Sequence, residues 1–174
     1  MKKLWKLIPL LALTLVIVCL VHQPAQAMKH EDFSYVFYNK PSYTEGDYTY
    51  VVEDGEAFIV GVDKTISGHV QIPSSLGGYP VAFVYGGTFR GCTGITEATF
   101  PDSVVTIGFN CFENCTNLKT VNIGKNVKTL IGRAFAGCTS LTTVNWGPGV
   151  EKIGRENFYN CTSLKRVVIQ NGVS

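Results

Sequence analysis

Along most of the chain the apolar positions return at one fixed interval. Phe89, Phe112, Phe135 and Phe158 stand 23 residues apart, and so do Cys92, Cys115, Cys138 and Cys161. Ile95, Leu118, Leu141 and Leu164 follow, then Ala98, Val121, Val144 and Val167, then Phe100, Ile123, Trp146 and Ile169. Val104, Val127, Val150 and Val173 complete the set, with Ile107, Leu130 and Ile153 three residues further on. Four copies without an insertion predict a solenoid, in which each copy buries its apolar face against its neighbours. Within a copy, the run Leu118-Lys-Thr-Val121-Asn-Ile123 spaces its apolar residues as a short strand, and stacked copies predict a parallel sheet. The Phe–Cys half, such as Ala134-Phe-Ala-Gly-Cys138, predicts a helical or 3-10 turn on the opposite side. Gly91, Asn114, Gly137 and Asn160 precede the column cysteines. Glycine and asparagine tolerate a left-handed backbone, so this column is expected to end each turn.

Residues 28–66 do not repeat. Phe33-Ser-Tyr-Val-Phe-Tyr38, Asp47-Tyr-Thr-Tyr-Val-Val-Glu53 and Glu56-Ala-Phe-Ile-Val-Gly-Val62 have the aromatic and β-branched composition of strands. Asp54-Gly55 between the last two predicts a hairpin. Laid over the first repeat, that hairpin would cap the solenoid. Tyr35, Tyr38, Tyr43, Tyr48 and Tyr50 offer the alternative of an aromatic ligand platform. The last copy is incomplete at Gly172-Val-Ser174, which predicts completion by a partner chain or a fragment of a longer gene.

The phrases Cys115-Thr-Asn-Leu-Lys-Thr-Val-Asn-Ile, Phe100-Pro-Asp-Ser-Val-Val-Thr-Ile-Gly108 and Cys138-Thr-Ser-Leu-Thr-Thr-Val144 resemble the bacterial BspA-type leucine-rich repeats. The likeness covers residues 86–174 closely and Gly68-His-Val-Gln-Ile through Val81 more loosely. It departs from ordinary leucine-rich repeats in lacking their asparagine ladder, whose place is taken by Ser103, Asn126, Gly149 and Gly172, and in Ile131 where Gly108 and Gly154 stand in neighbouring copies. The resemblance implies an α/β repeat solenoid of right-handed leucine-rich-repeat type. A short parallel sheet would form one face and helical or 3-10 turns the other, with the N-terminal hairpin as a cap. The expected organisation is a signal peptide over 1–27, the N-terminal β cap over 28–66 and repeats over 67–174. The first repeat, 67–88, is irregular; the regular ones run 89–174 with the last incomplete.

Charge changes the picture once the leader is recognised. Lys2, Lys3 and Lys6 precede an apolar run over 7–21, and Ala25-Gln-Ala27 supplies a small-x-small cleavage site. That run is shorter than the ~20 residues of a spanning helix, so a secreted or cell-surface-associated chain with no membrane span in its mature part is expected. Without the leader the formal charge falls from +2 to −1, because all 13 acidic residues remain. Such a balance does not supply the strongly basic face that nucleic-acid binding needs, so no nucleic-acid partner is expected, although the charge is uneven, −5 over residues 28–75 and +4 over 76–174.

The chemistry-bearing residues are few. Cys92, Cys115, Cys138 and Cys161 are expected to form a stacked, reduced structural ladder rather than disulfides, since equivalent positions point the same way. Cys111 and Cys115 have helical spacing but no histidine companion, so no metal and no cofactor are expected. The only histidines after the leader, His30 and His69, lie outside the regular repeats and supply no base to a thiol, so the chain is not expected to be an enzyme. The outward strand positions form two polar columns. Glu97, Thr120, Thr143 and Arg166 make the first; Thr99, Asn122 and Asn145, followed by Val168, make the second. Seven of these, Glu97, Thr99, Thr120, Asn122, Thr143, Asn145 and Arg166, are the candidate ligand-binding residues, with no catalytic group among them. The resemblance implies adhesion-like recognition of an extracellular or host protein, or of a glycan. The alternatives are a structural spacer within a larger surface protein and, more remotely, an extracellular hydrolase.

Overall fold

A computed structural model of the chain describes residues 40–168 and residue 173. The leader over 1–27, the strand expected at 33–38 and the ends of two columns, Ile169 and Gly172, lie outside the described residues.

Each 23-residue turn contributes one strand to each of two parallel stacks. The first stack contains β4 (Gly68–Gln71), β7 (Ile95–Thr99), β9 (Thr120–Asn122) and β11 (Thr143–Asn145), ordered β11-β9-β7-β4. Val121 pairs with Ala98 and with Val144, so the sequence period is also the strand register. The second stack contains β6 (Tyr79–Val84), β8 (Thr106–Ile107), β10 (Thr129–Leu130) and β12 (Lys152–Ile153). Here the Ile107, Leu130 and Ile153 column pairs in register. About four turns of solenoid result.

The expected helical or 3-10 face is corrected by the structure: among the described residues there is no helix, and the solenoid is all-β rather than α/β. The reason lies in the backbone donors. In the Phe–Cys segment of the first regular turn, the N–H groups of Gly87, Phe89 and Gly91 donate to the carbonyls of Phe109, Cys111 and Glu113 in the next turn, at 2.8–2.9 Å. Three alternate donors directed between turns are unavailable for bonds within one. Only single tight turns remain, as where Arg90 N donates to Gly87 O at 3.1 Å and Cys92 N to Phe89 O at 3.0 Å.

Left-handed residues punctuate these turns at both ends. Gly91, Asn114, Gly137 and Asn160 have φ of 71°, 61°, 72° and 57°, the conformation their residue types suggested. A second column, Gly87, Asn110, Arg133 and Glu156, is also left-handed, with φ of 55–71°. At Gly137 a Cβ would additionally meet the Asn114 Oδ1 atom. Gly137→Val is therefore expected to destabilise the fold by about 1–2 kcal/mol. An unchanged thermal unfolding curve would remove the argument. Arg133 and Glu156 carry the strain of the second column and are tied by ion pairs. Glu113 lies between Arg90 Nε (2.8 Å) and Arg133 Nη2 (3.3 Å), and Arg133 Nη1 reaches Glu156 Oε2 at 2.9 Å. The Arg133 guanidinium also sits over the Tyr159 ring, 5.7 Å from its centroid.

The core is a column of rings and thiols. Phe89, Phe112 and Phe135 are fully buried, and successive Phe rings down to Phe158 stack at 4.4, 5.7 and 6.0 Å. Beside them the thiols of Cys115, Cys138 and Cys161 donate to the carbonyls of Phe89, Phe112 and Phe135, each at 3.1 Å. All five described cysteines are free and buried.

At the N-terminal side, β2 (Tyr48–Glu53) and β3 (Glu56–Val62) form an antiparallel hairpin through Asp54-Gly55, whose φ values are 50° and 80°. β1 (Ser42–Glu45) adds outside β2, while β5 (Ser75–Leu76) pairs with β6. The hairpin continues a sheet edge rather than simply lying across the turn: β3 pairs in parallel with β6. Tyr48 packs edge-on against Phe89 at 6.4 Å and Tyr50 is buried, so these two rings serve the core instead of an open aromatic platform. Lys64 Nζ donates to the Thr88 and Arg90 carbonyls, at 2.7 and 3.3 Å, satisfying acceptors of the first regular turn.

Candidate binding face

The outward residues of the first sheet form a face because strand side chains alternate. Ala98 and Val121 point into the core and are fully buried, while Glu97, Thr99, Thr120 and Asn122 beside them are half-buried. Register brings six of the candidate residues onto three adjacent strands: Glu97 pairs with Thr120, Thr120 with Thr143, Thr99 with Asn122, and Asn122 with Asn145. Arg166, the seventh, is exposed in the next turn but outside any strand. Val168 is exposed there too, so the second column ends on an apolar side chain.

The side chains form a directed hydrogen-bond ladder. Asn145 Nδ2 donates to Asn122 Oδ1 at 2.7 Å. Asn122 Nδ2 donates both to Glu97 Oε1, at 2.8 Å, and to Thr99 Oγ1, at 3.0 Å. Thr99 Oγ1 in turn shares a 3.0 Å hydrogen bond with His69 Nε2. Two asparagines, Asn122 and Asn145, are thus hydrogen-bonded to each other on the sheet face, away from the strand-end column. Sequence reasoning missed His69 as a member. It pairs in register with Glu97, 28 residues on, so the 23-residue period could not align it.

The rim carries compensated charge. Lys125 Nζ lies 2.6 Å from Asp102, whose carboxyl is held below the usual range by hydrogen bonds from the Lys125 side chain and backbone. Burial pushes the column thiols up, Cys115 to about 12 and Cys161 to about 11, and at Cys92 the Asp63 charge adds to it while Lys64 opposes it. Among the described residues no group of three or more His, Cys, Asp or Glu is placed to hold a metal ion. Among the same residues no helix is long and apolar enough to cross a membrane.

Residues 81–174 match the BspA type leucine rich repeat region, in six copies. Solved bacterial leucine-rich repeat proteins share the fold. The T. pallidum leucine rich repeat protein is 28% identical, with a TM-score of 0.70 over 77% of this chain and 63% of its own. A leucine rich cell surface protein of Faecalibacterium prausnitzii is 32% identical, with a TM-score of 0.67 over 79% of this chain and 39% of its own. A leucine-rich repeat protein of Bacteroides ovatus is 31% identical, with a TM-score of 0.66 over 76% of this chain and 36% of its own. The chain therefore spans between about a third and two thirds of the length of these relatives. No curated protein matches the sequence. With its matched repeats covering more than half of its length, the chain belongs to the BspA-type leucine-rich repeat family.

Proposed function

We propose that the protein is a secreted or cell-surface binding module that uses its first sheet for adhesion-like recognition of an extracellular protein or glycan. The observation that carries this reading is the Glu97–Thr99–Asn122–Asn145 ladder. Polar side chains on a solvent-facing sheet, held in place by one another, lose little conformational freedom when a ligand binds. The cell-surface description of the Faecalibacterium relative and the leader-like first 27 residues support the location. Thiols kept protonated by burial favour binding over nucleophilic chemistry. Four repeats at ~5 Å each make a face of ~20 Å, which suits weak, multivalent contact.

The test is binding of the purified protein to immobilised matrix proteins and glycans, beside the Asn122→Lys/Asn145→Lys double variant. The wild type is expected to bind and the folded double variant to lose at least tenfold in affinity. A folded wild type that binds none of them would turn the reading toward a structural spacer.

A further inference from the structure

Glu97 differs from the other described carboxylates of the repeats in how its charge is met. Asp102, Glu113, Glu151 and Glu156 each have a Lys or Arg nitrogen of the chain within 3.3 Å. Glu97 is the one carboxylate on the strands of the first sheet, and its ion-pair partner among the described residues is His69, at 4.0 Å. It is nonetheless fixed: Asn122 Nδ2 holds Oε1, and the same amide is anchored on Thr99. Both donor contacts of Asn122 are directed into the ladder. Toward a ligand, this part of the face offers the carboxylate with the hydroxyl of Thr120 in register beside it. The side chain of Glu97 is 38% exposed, open on one side and sheltered by the sheet on the other.

We propose that Glu97 is the charge-reading subsite of this face and takes a ligand guanidinium or ammonium group, so that the partner is a protein presenting a basic side chain. An oriented, partly sheltered carboxylate without a Lys or Arg of its own gains most from a charge-assisted bond, and a planar guanidinium can meet both of its oxygens. A divalent cation would want several oxygen ligands, and this subsite provides a single carboxylate. A neutral glycan would leave the charge uncompensated. This inference rests on the binding reading above.

The test is titration of the 15N-labelled protein with the peptides acetyl-Gly-Arg-Gly-amide and acetyl-Gly-Gln-Gly-amide, followed by backbone and side-chain amide resonances. The Arg peptide is expected to shift the Asn122 side-chain amide and the Glu97–Thr99 backbone, about three- to tenfold more tightly than the Gln peptide at low salt. Glu97→Gln, which keeps an oxygen for Asn122, is expected to abolish that preference while leaving the spectrum dispersed. Thr120→Arg, placing an internal guanidinium beside Glu97, is expected to block the Arg peptide. Equal shifts by both peptides, or a glycan that binds this face unaffected by Glu97→Gln, would overturn the inference and leave the binding face standing. Shifts confined to other surfaces, or none, would also overturn it. In that case the matrix-binding comparison with the double lysine variant decides the broader reading separately.

Discussion

Phe112→Ala is expected to destabilise the protein by about 3–5 kcal/mol, the largest effect of any single truncation in the stack. The ring is fully buried, lies 4.4 Å from Phe89 and 5.7 Å from Phe135, and meets Phe100 edge-on at 5.8 Å. Its backbone N–H donates to Ala134 and its carbonyl accepts the Cys138 thiol, so the segment is tied to the next turn from two atoms. A solenoid turn has only its two neighbours to pack against, and the inter-turn ladder fixes their spacing. The cavity left by the ring therefore cannot close by collapse. The half-buried Phe158 has a described ring neighbour in its column on one side only, Phe135, and Phe158→Ala is expected to cost roughly half as much. Urea unfolding followed by far-UV circular dichroism measures both. Equal losses, or less than about 1 kcal/mol for Phe112→Ala, would mean that the Phe column is not the centre of the core.

Alkaline pH is the second strong lever. Burial raises the thiols of Cys92, Cys111, Cys115, Cys138 and Cys161 above the ordinary value of 9.0, with Cys115 at about 12 and Cys161 at about 11. For Cys115, charge repulsion from Cys92 adds to the desolvation. In the unfolded chain these thiols lose their protons near pH 9, whereas in the folded chain they retain them. Above pH 9 the unfolded state thus binds fewer protons, and stability falls as pH rises. Each thiol contributes a slope of about 1.4 kcal/mol per pH unit until its folded value is reached. Below pH 9 their contribution is fully present and flat. Tyr48, raised to about 12 by burial and the Asp47 charge, adds the same sign above pH 10. The urea midpoint is expected to hold between pH 7 and 8.5 and then drop steeply toward pH 11, with the thiols unreactive to iodoacetamide until unfolding. Cys138→Ala should start lower at pH 7 and decline less steeply. A midpoint unchanged to pH 11 would show that the thiols already reach water in the native state.

Much of the architecture is legible in one dimension. The 23-residue interval is simultaneously the repeat length and the strand register, because each turn pairs only with its neighbours and equal spacing stacks equal side chains. Gly91, Asn114, Gly137 and Asn160 disclose their left-handed backbone by residue type, and Asp54-Gly55 discloses its hairpin for the same reason. The outward polar columns follow from alternation along a strand.

Other features depend on where hydrogen bonds go, which residue type alone does not report. Ala134-Phe-Ala-Gly-Cys138 has the composition of a helical turn, yet the N–H groups of Phe135 and Gly137 donate to the following turn and leave no helix. Arg133 and Glu156 are left-handed although neither residue type favours it, because the geometry of the turn is shared down the stack and their ion pair holds them there. His69 reaches Glu97 across a break in the period, and Asn122, paired in register with Thr99, turns its amide to Glu97 on the diagonal as well. By itself the sequence determined that turns repeat, at what interval, and which residues face inward, since these depend on contacts between equivalent positions. The tertiary structure decided which backbone donors cross between turns and which side chains of different columns meet, because the first depends on the backbone geometry of the turn and the second joins residues that the period does not align.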